Sequence, residues 1–89
     1  MPNNFSMLDE YIGFIKVVKT QCTSKRRHEF RTFKNAIEKC LSNDGCHGVL
    51  DYNCDGKGRY GNGKFRHCTS NDGVYDKDDC VYKKKGILH

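Results

Sequence analysis

Apolar residues recur at helical spacing most clearly in one stretch of the chain. In RTFKNAIEKCLSNDG, Phe30, Phe33, Ile37, Cys40 and Leu41 fall on one face. Lys34, Asn35, Glu38 and Lys39 fall on the other. Thr32 can cap the start by accepting a hydrogen bond from an early backbone N–H. Gly45 stands just past the last turn, where a left-handed residue commonly closes a helix. The spacing predicts a helix from about Phe33 to Ser42.

The first third supports two readings. Met7, Leu8, Tyr11, Ile12, Ile15 and Val18 fit a helical stripe, with Ser6 as its cap. YIGFIKVVKT, however, is rich in β-branched and aromatic residues and contains Gly13, and that favours a strand from about Tyr11 to Lys19. After the helix, HGVLDY, KFRHC and CVYKK read as short strands. NCDGKGRYGNG and SNDGVYDKDD, rich in turn formers, separate them. The expected architecture is α+β: one helix packed on a small, twisted antiparallel sheet, forming a single domain over 1–89 with its core at about 11–85.

Composition changes the source of stability. The 89 residues are 36% hydrophobic with a mean hydropathy of -0.83. Such a chain buries a thin core. Six cysteines are the obvious supplement. No C-x-x-C pair occurs, and Cys22, Cys40, Cys46, Cys54, Cys68 and Cys80 are spread along the chain. Zinc sites favour close pairs, so disulfides are the better reading, each contributing roughly 2–4 kcal/mol. Six cysteines allow 15 connectivities.

Disulfides imply an oxidising compartment and so secretion. MPNNFSMLDEYIGFIKVVK has no basic leader and no clean apolar run, so the expectation is a mature or excised domain with an added Met1. No stretch is long and apolar enough to span a bilayer.

Net charge is +5. The basic residues concentrate at Lys25, Arg26, Arg27 and Arg31, at Lys57, Arg59, Lys64 and Arg66 beside Tyr60, and at Lys83 to Lys85. Cations flanking an aromatic in a glycine-rich loop make a candidate binding surface. Candidate ligand contacts are Lys25, Arg26, Arg27, Arg31, Lys57, Arg59, Tyr60, Lys64 and Arg66. A solvated surface and a basic tail explain the same charges as economically.

Asp51, Asn53, Asp55 and Gly56 follow the opening order of an EF-hand loop. Position 12 would be Asn62, which lacks a bidentate carboxylate, and RYGNGKF is a poor helix former. The stretch reads as a stapled turn, with a weak calcium site at Asp51, Asn53 and Asp55 as the minority alternative. GKGRYGNGK lacks the lysine and Ser/Thr pair of a phosphate loop. His28, His47, His67 and His89 lie apart, and no nucleophile–base pattern stands out, so no enzyme is expected.

AIEKCLSNDGCHGVLDYNCDG, then FRHCTS, then DDCVYKK, resembles the PAN/apple domain, in particular apple-like modules of invertebrate secreted proteins. The match covers roughly residues 30 to 85: Ala36 and Cys40 on the helix, Cys46 and Gly48 opening a strand, a lone Cys68, and Cys80, Tyr82 and Lys84 at the end. The resemblance implies a helix cradled by a twisted antiparallel sheet. It also implies nested pairs, Cys22–Cys80, Cys40–Cys68 and Cys46–Cys54. For function it implies adhesion to an extracellular protein or anionic glycan, without cofactor or nucleic acid. The alternatives are a cationic toxin or antimicrobial effector acting on anionic membranes, and a matrix protein with weak calcium contact.

Overall fold

A computed structural model describes residues 13–56 and 64–85. Strands β1 (Phe14–Cys22) and β2 (Lys25–Phe30) precede helix α1 (Phe33–Leu41). β3 (Gly48–Asp51), a short 3-10 turn (Tyr52–Cys54), β4 (Phe65–Cys68) and β5 (Gly73–Lys84) follow. The strands form one five-stranded antiparallel sheet in the order β1-β5-β3-β4-β2.

The helix forms where its pattern predicts. Thr32 caps it, its Oγ accepting from the Asn35 N–H at 3.1 Å. Ala36, Ile37 and Cys40 are buried. They meet Phe14, Val49, Phe65 and Tyr82 from one face of the sheet. Phe33 adds tilted ring contacts to Phe65 and Tyr82. Phe30, read as helical, instead ends β2.

Strand parity explains the second cluster. Val49 faces the helix; Leu50 faces away and packs with Cys22, Cys68 and Val81. Every residue of β3 is therefore buried, so GVLD reads as a continuous rather than alternating run. Gly48 is required there, since a Cβ would meet the Tyr82 carbonyl oxygen at 2.9 Å.

Three disulfides staple the fold: Cys22–Cys68, Cys40–Cys46 and Cys54–Cys80. None belongs to the nested set Cys22–Cys80, Cys40–Cys68 and Cys46–Cys54, and parity again gives the reason. Cys22 and Cys68 project to the face away from the helix, whereas Cys40, Cys46 and Cys80 lie in the cluster beneath it. Cys22 and Cys80 sit on opposite sides of the sheet, and so do Cys40 and Cys68. The loop after α1 folds back at once, leaving Cys46 beside Cys40 with 5.2 Å between Cα atoms.

Other boundaries moved. β1 runs from Phe14 to Cys22, beyond the expected end at Lys19, and the expected start at Tyr11 lies outside the described residues. KRRHEF, read as a basic cluster, is the edge strand β2. GVYDKDD, read as a turn, lies inside β5. It forms a bulge: pairing jumps from Val18↔Cys80 to Thr20↔Tyr75. The Asp76 carboxylate closes it by accepting from the N–H groups of Asp78 and Asp79. Gly45 is not left-handed. Asn43 turns the chain instead, its Oδ1 accepting from the Gly45 N–H at 2.8 Å and its carbonyl from the Cys46 N–H at 2.9 Å.

Candidate functional site

Because β2 is a strand, its side chains alternate. Arg26, His28 and Phe30 share the side that faces the end of α1. They line an open groove of about 460 Å³, closed on the other side by Lys39, Ser42, Asn43 and Asp44. The floor is an aromatic step. Phe30 stacks on His67 with centroids 4.4 Å apart, and His28 meets Phe30 edge-on at 4.5 Å. The Arg26 guanidinium passes so close to Gly45 that a Cβ there would lie 2.7 Å from its Nη2.

His67 is 2% exposed and donates from Nε2 to the Ala36 carbonyl at 2.9 Å. Burial pushes its pKa below the ordinary 6.5. The Ala36 carbonyl opposes the shift, while Arg26, His28 and Lys84 reinforce it. The folded chain therefore holds this ring neutral at a pH where the unfolded chain already binds a proton. The contribution is complete above pH 6.5 and is lost as pH falls below it. One proton gives a slope of at most about 1.4 kcal/mol per pH unit. Urea midpoints should fall between near-neutral and mildly acidic pH, and His67→Gln should flatten that decline. An unchanged slope in the variant would show that the ring does not titrate this way.

The predicted basic set divides. Among its described members, Arg26 alone lines this groove. Arg27 and Arg31 are exposed elsewhere, and Lys25 donates to the Gln21 Oε1 at 3.1 Å. Lys64 and Arg66 pair with Glu29 at 3.6 and 3.1 Å. The Arg66 hydrogen bond chiefly, with help from Lys64, holds the Glu29 carboxyl below the usual range. Charge offered to a ligand there is thus partly neutralised. Lys57, Arg59 and Tyr60 lie outside the described residues.

Lys39 and His28 belong to the groove but escaped the sequence reading. Lys39 looked like an ordinary solvent-facing helical residue. Only recognition of β2 as a strand, with its two-residue period, would have joined His28 to Arg26.

The EF-like stretch serves the backbone. Asp51 is fully buried, and its Oδ2 accepts from the Gly56 N–H at 2.9 Å. Asn53 and Cys54 adopt positive φ, and Asp79 Oδ1 accepts from the Asn53 N–H at 2.8 Å. These bonds hold a left-handed turn.

Among the described residues, two groups approach metal-ligand spacing: Cys40, Cys46 and His67, and Asp51, Cys54 and Cys80. In each, both sulfurs belong to one disulfide, which leaves a single available ligand.

No family model, curated protein or solved structure matches the chain.

Proposed function

We propose that this chain is a non-enzymatic binding module of an oxidising, extracellular setting, which recognises a protein or an anionic carbohydrate through a basic groove on a three-disulfide scaffold. The observation that carries this reading is the groove itself. Arg26 and Lys39, from separate elements, flank an aromatic floor locked by stacking and by the His67–Ala36 hydrogen bond. A guanidinium can grip sulfate or carboxylate with paired hydrogen bonds, and an ammonium adds a point charge. Three disulfides support an oxidising setting, and no helix of the described residues is long and apolar enough to cross a membrane.

The helix-on-sheet layering agrees with an apple-like module. The disulfide pairing departs from the nested arrangement that the resemblance implies, so the likeness rests on layers and motifs.

Binding to immobilised heparin tests the anionic-ligand reading. The Arg26→Ala/Lys39→Ala double variant should bind about tenfold more weakly, equivalent to roughly 1.4 kcal/mol. Arg27→Ala, outside the groove, should change little. Wild-type elution at trace salt would refute the glycan reading, as would equal losses in both variants.

A further inference from the structure

On the far side of the loop that follows α1 lies a second basic groove, of about 640 Å³, lined by His47, Asn71, Lys83 and Lys85. Nothing in the predicted contact set pointed to it. Asp44 lines both grooves, so they meet at this loop. Resting on the anionic-glycan reading above, we infer that the ligand is an extended polyanion, a linear sulfated glycan, which crosses the loop at Asp44 and occupies both grooves.

The loop is built as a fixed ridge. The Lys84 ammonium donates to the Cys40 carbonyl at 2.8 Å and the Asn43 carbonyl at 3.0 Å. The Cys40–Cys46 disulfide closes its base, and Asn43 holds its turn. Lys84 is thereby committed to structure. Lys83 and Lys85, on either side of it in sequence, are exposed and line the groove. Arg26 and Lys39 thus stand on one side of the ridge and Lys83 and Lys85 on the other.

Two features favour a long ligand over a single anion. Both grooves are open, and exposed cations gain little from one isolated charge in water. Several weak contacts along one chain add up, because the second engagement occurs at high effective concentration. The apolar surface decides between a glycan and an acidic peptide. Among the described residues, the exposed large hydrophobics Ile15, Val18, Leu41, Val74 and Tyr75 all lie outside both grooves. Peptide interfaces depend on apolar or aromatic anchors seated in pockets. The Phe30–His67 step that floors the Arg26 groove is itself buried, 9% and 2% exposed, so it offers such an anchor little surface.

Asp44 supplies a signature of sign. Its carboxylate sits where the polyanion must pass, so it opposes binding.

The test is calorimetric titration of the full chain with heparin-derived disaccharide and octasaccharide. The octasaccharide should bind at least about tenfold more tightly. Lys83→Ala/Lys85→Ala should remove most of that gain in octasaccharide affinity. Asp44→Asn should tighten octasaccharide binding about two- to threefold, the scale of one exposed charge contact. A length gain indifferent to Lys83→Ala/Lys85→Ala, or an Asp44→Asn variant that binds no better, overturns the crossing path while leaving the single groove in place. Absence of any binding by the octasaccharide refutes the underlying glycan reading instead. An acidic octapeptide that matches the octasaccharide in affinity and variant profile overturns the choice of glycan. Urea midpoints of each variant separate loss of contact from loss of fold.

Discussion

Replacing Cys22 and Cys68 together by alanine is expected to lower the unfolding free energy by about 4 kcal/mol, the largest effect of any single staple. Their bridge spans 46 residues, against 26 for Cys54–Cys80 and 6 for Cys40–Cys46. Restriction of the unfolded chain grows with loop length, so the shortest bridge should contribute only roughly 2 kcal/mol. Packing acts in the same direction. Cys22 and Cys68 make up half of the cluster that covers Leu50 and Val81 on the helix-free face. For a domain of this size, 4 kcal/mol is a large part of the roughly 5–15 kcal/mol that folding yields. Urea unfolding of the two double variants measures the difference, and a Cys40/Cys46 variant as damaged as the Cys22/Cys68 variant would refute the ordering. The connectivity has its own check. Trypsin without reduction should link the peptide TQCTSK (20–25) to HCTSNDGVYDK (67–77). DDCVYK (78–83) should be linked to the peptide that begins at Cys40. Nested pairing would join TQCTSK to DDCVYK.

Sequence legibility followed the range of the interactions involved. The helix was legible because its signals are local: a Thr32 cap and apolar residues three and four apart. The short strands β3 and β4 announced themselves by composition. β2 did not, since KRRHEF is an edge strand with only its last residue buried, and edge strands tolerate charge on both faces. The acidic run in β5 looked like a loop because a bulge takes the same Asp-rich residues as a turn. Disulfide pairing was the least legible feature. It depends on which face of the sheet each cysteine occupies, and a shift of one residue in any strand reverses that face. The same non-locality split the candidate site. Arg26 was found because cations cluster around it in sequence. Lys39, Lys83 and Lys85 join the grooves only through the packing of α1 on the sheet and the path of β5.

Ile37→Ala should cost 2–5 kcal/mol by the usual scale for a large core residue, roughly, whereas Leu41→Ala should cost about 1 kcal/mol or less. The periodicity cannot separate the two residues. Four positions along a helix advance the side chain by only about 40° beyond a full turn, so both fall within one apolar stripe. The structure separates them by position along the axis. Ile37 is wholly buried over the sheet, in the cluster that contains Phe65 and Val49. Leu41 ends the last turn and remains 46% exposed, with its Cδ2 near Gly13 at the start of β1. Deleting Ile37 therefore opens a cavity under the middle of the helix, while deleting Leu41 mostly removes surface. The ratio of the two costs, read from urea midpoints, reports how α1 is seated. That seating also decides the chemistry. Lys39 reaches the Arg26 groove, and the Ala36 carbonyl meets His67, only with Ile37 pointing into the sheet. Comparable losses from both substitutions would mean that α1 is rolled toward Leu41. A roll of that size would carry Lys39 off the groove and leave Arg26 as its only strong cation among the described residues.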